Sequence, residues 1–388
     1  MVNNLEPDIR LKIVAVLERQ GYVVSGDAFS LPNQDRETKR QVHALSKAER
    51  IAQHYSFIKS NSKLIQQYMI DGKNLDVSRI QPTLVTVAPD SEWEILFRWW
   101  NLTWWSLPYE RAYGRQIRFV IWDQYHKSII GLIGLQSPIL SWSARDNFLG
   151  ITEEKRDLIV NQSLSAQRLG ALPPYNSILG GKLVALLMSS RTVGETYKTK
   201  YEGRRTVIQN RVIPPRLLFI TTTGAYGKSS VYNRLKYQGQ DVAKFIGYTT
   251  GSGSFHIPDT LFDELIVFLK SKGIDTRRGY GSGPSRKLRL IDTALKQLNF
   301  KNGVNHGVKR AVYLFPFATN LKEIIESDEP PVWLNRSTEE LSDFWKQRWA
   351  LQRANREQSY TNFNGKDYVT TTLLDTENTV KKYNGYST

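Results

Sequence analysis

Two glycine-containing turns, each between an apolar strand and a helix, hold the residues of this chain best suited to bind an anion. The first turn leads from Gly170 to the pair Gly180-Gly181, and the second contains Gly227-Lys228-Ser229. Glycine lets the backbone approach a ligand closely, and a helix N-terminus attracts negative charge, so such turns surround anionic cofactors in α/β proteins. The candidate cofactor-binding residues of the first turn are Arg168, Gly170, Tyr175, Gly180, Gly181 and Lys182.

The second turn has the setting of a phosphate-binding loop, because it follows an apolar strand and opens a predicted helix. That loop would require glycine at position 222, where this chain has Thr222. The backbone cradle for a triphosphate depends on that first glycine. The sequence therefore favours a plain helix N-terminus capped by Ser229 and Ser230, with a nucleotide-triphosphate site as the weaker alternative.

Three side chains could move a proton in a reaction. Tyr232 lies in the helix predicted after the second turn, and His256 follows a Gly-Ser-Gly-Ser turn at a strand end. A tyrosine can act as a general acid, and His256 or the carboxylate of Asp123 can act as the base. A structural or surface role is the alternative for each histidine. The chain has no cysteine and its histidines lack metal-ligand spacing, so no metal site is predicted.

The charge balance predicts nucleic acid as a partner. The 388 residues include 53 lysines and arginines against 37 acids, a net charge of +16, and such an excess is typical of proteins that bind polyanions. Two basic segments, the first at 196–216 and the second at 272–310, contain glycines together with Tyr197, Tyr201 and Tyr280. The rings of these tyrosines could stack on unpaired bases while the cations contact phosphates. A solvated charged surface is the alternative. The candidate residues are Lys198, Lys200, Arg204, Arg205, Arg277, Arg278, Arg286, Lys287 and Arg289.

The elements that must position these residues fall into three parts. Residues 1–90 predict a helical region, 91–356 an α/β domain that opens with a hairpin, and 357–388 a polar C-terminal tail. No signal-peptide core opens the chain, and no apolar run approaches the ~20 residues of a membrane span, so we expect a cytoplasmic protein without a membrane segment. In the α/β domain we expect strands at 158–169 and 216–223, and helices at 178–193, 228–237, 261–273 and 337–356.

The order hairpin, strand, glycine turn, helix, strand, helix, strand is similar to that of GNAT-type acyltransferases. The resemblance implies an α/β fold with a GNAT-like mixed central sheet flanked by helices, in which one strand splays from its neighbour. It also implies that the loop after Arg168 would hold the pyrophosphate of an acyl-coenzyme A-like donor and that Tyr232 would lie near the thioester. The alternative is that no cofactor binds, and that Gly180 and Gly181 only let a helix pack closely on the sheet.

Longer collinear strings between residues 115 and 350 resemble one family more closely. The strings are GRQIRF (114–119), IIGLIGL (129–135), SARD (143–146), RLGALPPYNSILGGKLVALL (168–187), FITTTGAYGKSSVYNRLKY (219–237), FIGYTTGSGSFHIP (245–258), SGPSRKLRLIDTAL (282–295), HGVKRAVYLFPFATN (306–320) and FWKQRW (344–349). Together they resemble the Druantia anti-phage DruA family. The resemblance implies a role in bacterial or mobile-element defence, with partner proteins encoded alongside, and it implies a DruA-like domain over 91–356. It does not imply a particular reaction.

The sequence leads to three hypotheses on function. The first is group transfer onto a nucleic acid, with the first turn binding the donor, Tyr232 as the acid and His256 or Asp123 as the base. The second is a catalytically inert nucleic-acid-binding subunit that positions a helicase or nuclease partner. The third is a nucleotide-binding ATPase. An open cleft between strands 158–169 and 216–223 would support transfer, whereas a gap filled by side chains would support the inert subunit.

Overall fold

A seven-stranded mixed sheet forms the centre of the protein. The structure is a computed structural model that describes residues 5–108, 112–206, 209–277 and 285–384. Its strands are β1 Val23–Ser25, β2 Ala28–Ser30, β3 Pro82–Thr86, β4 Gln116–Asp123, β5 Ser128–Gln136, β6 Ser163–Ala171, β7 Phe219–Thr223, β8 Lys236–Tyr237, β9 Gln240–Asp241, β10 Lys244–Tyr248 and β11 Ala311–Pro316. The central sheet has the order β10-β11-β7-β6-β5-β4-β3, and two small hairpins, β1-β2 and β8-β9, lie outside it.

The pairing of β6 with β7 is the one parallel pairing in the described part of this sheet. Residues 163–166 of β6 pair with 219–222 of β7, whereas β6 continues to Ala171 paired with β5 alone. Strand β7 ends at Thr223, so β6 has no β7 partner beyond Ala166. The seven-stranded mixed sheet flanked by helices confirms the predicted fold class, and the hairpin β4-β5 is also confirmed. The GNAT-like splay of one strand stays a prediction.

Helices cover both faces of the sheet. They are α1 Leu5–Arg19, α2 Arg36–Gln53, α3 Tyr55–Gln67, α4 Glu92–Thr103, α5 Ser143–Leu149, α6 Glu153–Val160, α7 Gly180–Met188, α8 Arg191–Tyr201, α9 Asp259–Ser271, α10 Arg286–Gln297, α11 Leu321–Ser327, α12 Thr338–Trp345, α13 Leu351–Arg356 and α14 Gly365–Asn384. A π-helical segment, Lys346–Ala350, joins α12 to α13. The helix predicted at 337–356 is confirmed, and Ser337 with Glu340 forms a capping box at its start.

Alternation along β4 places its side chains in two different cores. Ile117, Phe119 and Ile121 belong to the core that contains α7 and the α12 helix, while Val120 belongs to the core built with α3 and α4. Successive side chains of a strand point to opposite faces, so the sheet lies between these two helical layers. A third core lies on the same face of the sheet as α4, and it packs α5 and α11 against β7 and β11.

The N-terminal helical region is present, and its parts pack in different places. Helix α1 and the β1-β2 hairpin share a core with α9 and α10, whereas α2 and α3 pack against α14. Strand β3, within residues 1–90, is the edge strand of the central sheet. The domain boundary at residue 90 therefore stays a prediction. None of the helices that the structure describes is long and apolar enough to cross a membrane.

Two predicted elements are wrong, and the C-terminal tail, whose bounds stay a prediction, contains a long helix. Residues 228–235 form successive turns rather than a helix, because the chain turns back at Gly227 (φ +130°) and Arg234 (φ +57°) to bury its apolar side chains. The expected strand 158–169 begins as helix α6 and becomes strand β6 only at Ser163. The predicted polar tail contains the 20-residue helix α14, whose Val369 is buried against the α3–α4 layer.

Candidate functional site

The glycines of the first turn lie in close contact with protein atoms. A Cβ on Gly180 would lie 2.6 Å from the carbonyl oxygen of Tyr175, and a Cβ on Gly170 would lie 2.6 Å from the ring of Trp104. A Cβ on Gly181 would lie 3.3 Å from a methyl group of Val231. These glycines therefore allow close packing of α7 and α4 against the sheet, which is the alternative that the sequence left open.

The turns at 229–233 lie between α7 on one side and β7 and β11 on the other. Lys182 lies at the start of α7, and its Nζ donates to the carbonyl oxygens of Ser230 and Val231 at 3.4 and 3.3 Å. The Nζ also lies 5.2 Å from the ring centroid of Trp349, and burial lowers the pKa of Lys182. The predicted cofactor-binding lysine thus holds a neighbouring turn in place.

Tyr232 is buried against the sheet. Its side chain is 6% exposed, and its ring lies 5.1 Å from that of Tyr313 and 5.7 Å from that of Phe315, both on β11. Burial raises the pKa of Tyr232 far above the usual range, and a hydrogen bond to the side chain of Thr222 acts in the opposite direction. The hydroxyl therefore stays protonated and faces protein atoms. A general-acid role for Tyr232 stays a prediction.

His256 lies in a different core. It is fully buried beside Phe29 and Phe255, at ring distances of 5.7 and 5.9 Å. Neither ring nitrogen has a hydrogen-bond partner in the described part of the chain, and burial lowers the pKa of His256 to about 3, with a smaller contribution from Lys287. The structure does not bring His256 to Tyr232, and their catalytic roles stay predictions.

Asp123, the third catalytic candidate, is buried at the end of β4 and holds the β4-β5 turn. Its Oδ1 accepts from the backbone N–H groups of Gln81 and Tyr125 at 3.0 and 3.1 Å, and its Oδ2 accepts from Nδ1 of His126 at 2.7 Å and from the hydroxyl of Tyr175 at 2.9 Å. Burial is the main cause that raises the pKa of Tyr175, and the charge of Asp123 adds to it. The hydroxyl of Tyr175, predicted to bind a cofactor, is thus used inside the protein.

The sequence analysis missed the role of His126. Its Nε2 accepts from the backbone N–H of Asp76 at 3.1 Å, so Nδ1 carries the proton that is donated to Asp123. The signal was the spacing of Asp123 and His126 across a tight turn, where a carboxylate and a ring nitrogen three residues apart can meet. The pairing ties β4 to the short helical turn Val77–Arg79.

The first basic segment lies at the end of α8. Lys198, Lys200, Arg204 and Arg205 are all exposed, and no carboxylate of the described residues forms an ion pair with any of them. The guanidinium of Arg205 donates to the carbonyl oxygen of Asn210 at 2.7 Å and so closes the loop that follows. Four cations are therefore presented together on one short stretch of surface.

The two tyrosines of this segment hold α8 against the sheet. Tyr197 is 1% exposed and donates to the carbonyl oxygen of Asn161 at 2.8 Å. The hydroxyl of Tyr201 donates to the carbonyl oxygen of Gln116 at 2.9 Å and accepts from the N–H of the same residue at 2.8 Å. The stacking prediction for Tyr197 is wrong, because its ring is buried. Tyr201 is half-buried, and its stacking stays a prediction.

The second basic segment is partly neutralised. Lys287 pairs with Asp259 at 2.6 Å and Arg277 with Asp275 at 3.0 Å. Arg286 donates to the carbonyl oxygen of Thr276 at 3.0 Å, and Arg289 donates to that of Arg277 at 3.3 Å. The predicted residues Arg278 and Tyr280 lie outside the described residues. The first segment is thus the better candidate for binding a polyanion.

A cavity of about 650 Å³ lies between α4 and the sheet, beside the first basic segment. Its lining includes Arg98 of α4, Arg118 of β4 and Arg168 of β6, together with acids such as Glu94. Arg168 donates from Nε to Oδ1 of Asn101, on the face of the sheet opposite α7. The structure therefore does not bring Arg168, a predicted cofactor-binding residue, to the glycines of α7. The sequence signal for this cavity was the alternation of polar and apolar residues at the start of β4, where Gln116 and Arg118 flank Ile117.

Comparisons with known proteins agree with these motifs. A profile of the family described as Druantia protein DruA matches residues 33–327. The chain is 34% identical over 372 residues to a curated Druantia protein DruA of Escherichia coli (strain UMEA 4076-1), a match that covers 94% of this chain and 92% of the relative. No solved structure matches the chain. The chain therefore belongs to the DruA family, whose proteins are components of the Druantia anti-phage defence system.

Proposed function

We propose that this protein is the nucleic-acid-binding component of its defence system and that the end of α8 holds the phosphate backbone. The observation that carries the proposal is the group of exposed cations Lys198, Lys200, Arg204 and Arg205, which lack carboxylate partners in the described part of the chain. Partner defence proteins, such as a helicase or a nuclease, would then be positioned on the nucleic acid by this subunit.

The electrostatics of this segment support the proposal. Partial desolvation lowers the pKa of the exposed Lys200, and the positive charges of Arg118 and Arg204 lower it further. Like charges held close together repel each other, and a bound anion relieves that repulsion. Phosphates neutralised by lysine and arginine also release counterions, which supplies most of the affinity in non-specific binding. A polyanion is therefore the ligand that this surface favours.

The test is a binding titration with labelled single-stranded and duplex oligonucleotides of DNA and RNA. The triple variant Lys198→Glu, Lys200→Glu, Arg204→Glu should bind at least about tenfold more weakly, and the slope of log K against log salt should fall by ~0.9 for each lost duplex phosphate contact. The matched control is Lys63→Glu, Lys270→Glu, Lys322→Glu, which makes the same charge change at exposed lysines on three separate helices. Equal losses in both variants would contradict the proposal.

Group transfer onto a nucleic acid is the second candidate, and the continuation of β6 beyond the end of β7 favours it. The burial of Tyr232 opposes it. Equilibrium binding of acetyl-coenzyme A and of ATP separates the candidates. Saturable binding of acetyl-coenzyme A that is lost in Lys182→Ala would support transfer. Nucleic-acid binding with steep salt dependence and no binding of either small molecule would support the first candidate.

A further inference from the structure

We propose that the cavity between α4 and the sheet holds one unpaired nucleotide of the strand that α8 binds. The inference rests on the proposed nucleic-acid binding and adds a second site to it. Three arginines from three elements, Arg98, Arg118 and Arg168, line this cavity together with Phe57 and Phe97. Guanidinium groups bind phosphates in a two-pronged fashion, and a guanidinium plane also offers a face on which a base can stack.

Strand pairing places two of these arginines on the same face of the sheet. Gly134 of β5 pairs with Arg118 of β4 on one side and with Arg168 of β6 on the other. The two arginines therefore lie in one row, two strand spacings or ~10 Å apart at their backbones. The residue between them has no side chain, and a Cβ there would lie 3.0 Å from the ring of Phe97 and 3.1 Å from the side chain of Arg168. The glycine thus lets Phe97 and Arg168 pack closely on β5, while both arginines of the row line the cavity.

Arg98 and Arg118 keep capacity for a ligand. Arg118 pairs with Glu94 at 2.9 Å, and the guanidinium of Arg98 lies 4.1 Å from the ring centroid of Phe57. Arg98 also contacts Nδ1 of His54 at 3.3 Å. Each guanidinium has five N–H donors, so these contacts leave donors for a phosphate. Gln167 is half-buried at the cavity wall, where its amide can bond the edge of a base.

The size of the cavity selects a nucleotide rather than a duplex. Pockets for small molecules and cofactors measure ~300–1,000 Å³, and the volume here is about 650 Å³. A base pair within a helix cannot enter such a space, whereas a base that is flipped out of a helix or lies in a single strand can. The cavity also adjoins the proposed backbone site, because Tyr201 of α8 is bonded to Gln116 at the cavity wall.

Photocrosslinking on the unaltered protein is the first test. A single-stranded oligonucleotide with one iododeoxyuridine is irradiated in the complex, and the crosslinked peptides are identified by mass spectrometry. We expect crosslinks in α4 or β6, and about tenfold fewer with free iododeoxyuridine monophosphate, because the strand raises the local concentration of its own nucleotide. Crosslinks confined to 198–205 would overturn the cavity site and leave the proposed function standing. Equal crosslinking by the free monophosphate would overturn the strand as the source.

A pair of arginine variants is the second test. Arg98→Gln should lower the crosslinking yield in β6 about tenfold, the effect of losing one charged two-pronged contact, and leave the affinity for fully paired duplex unchanged. Arg79→Gln is the control, since Arg79 also lies over a ring, 4.2 Å from the centroid of Tyr125, but outside the cavity lining. Equal yields from the two variants would overturn the inference. A protein that binds none of the oligonucleotides would overturn the proposed function and this inference together.

Discussion

The hydroxyl of Tyr175 donates a hydrogen bond to Oδ2 of Asp123 at 2.9 Å, with both side chains fully buried. The same hydroxyl lies 2.5 Å from Oγ of Ser128, so it links the end of β4 to the start of β5. One carboxylate thereby joins the β4-β5 turn to the helical turn before α7. The sequence suggested that Asp123 acts as a base and that Tyr175 binds a cofactor. Their contacts instead hold two turns together inside the protein.

Tyr175→Phe should destabilise the fold and leave nucleic-acid binding intact at temperatures where the variant is folded. The change removes a buried charge-assisted hydrogen bond, which costs ~1.5–3 kcal/mol of the free energy of unfolding. Urea denaturation measures the loss. Tyr125→Phe on the same hairpin is the control, because its side chain is 41% exposed. A normal stability for Tyr175→Phe combined with weaker binding would point to a ligand role instead.

The two adjacent glycines of α7 should respond differently to alanine. Gly180→Ala places a Cβ 2.6 Å from a backbone oxygen, whereas Gly181→Ala places one 3.3 Å from a methyl group of Val231. Overpacking against backbone costs ~1–3 kcal/mol, while alanine in place of glycine in a helix contributes up to ~1 kcal/mol. Thermal melts should therefore show a lower Tm for Gly180→Ala and little change for Gly181→Ala. Equal melting temperatures would contradict the packing account.

Local patterns were enough to predict the hairpin β4-β5 and the capped helix that begins at Ser337, since each depends on residues close together in the chain. The turns at 228–235 were predicted as a helix because a glycine turn with possible serine caps follows an apolar strand there. The same residues instead form turns that bury Tyr232 and Leu235 against the sheet. Burial against a distant partner, not local propensity, decided this segment.

Local sequence patterns did not predict the arginine-lined cavity or the contact of Asp123 with Tyr175. Arg118 and Arg168 meet in one row only because Gly134 pairs with both, and register between strands is a long-range property. The partnership of Asp123 with Tyr175 likewise spans 52 positions of the chain. The distribution of charge along the sequence predicted more of the candidate nucleic-acid site. The cations at the end of α8 that lack carboxylate partners lie within a basic segment that the sequence predicted.

Tyr232→Phe should leave protection against phage unchanged in a plaque assay and lower the free energy of unfolding by ~1 kcal/mol, the value of one neutral hydrogen bond. Thr222 keeps its own bond to the carbonyl oxygen of Ala166 at 3.0 Å in the variant, so little is left unsatisfied. Tyr313→Phe is the comparison, since its hydroxyl accepts from Ser229 and donates to Asn233, at 3.0 and 2.9 Å. Lost protection by a folded Tyr232→Phe protein would restore the tyrosine as the general acid.

Acid should destabilise the protein through its buried histidines. Burial lowers the pKa of His43, His256 and His306, to about 3 for His256, so each is neutral in the fold near pH 7. Below pH ~6.5, the pKa of histidine in the unfolded chain, the unfolded protein binds protons that these histidines do not bind in the folded protein. The free energy of unfolding therefore falls by ~1.4 kcal/mol per pH unit for each histidine. For His256 this loss continues as the pH falls to about 3. Urea denaturation between these limits should give a shallower slope for His256→Leu than for the unaltered protein, and an unchanged slope would show that the fold already binds that proton.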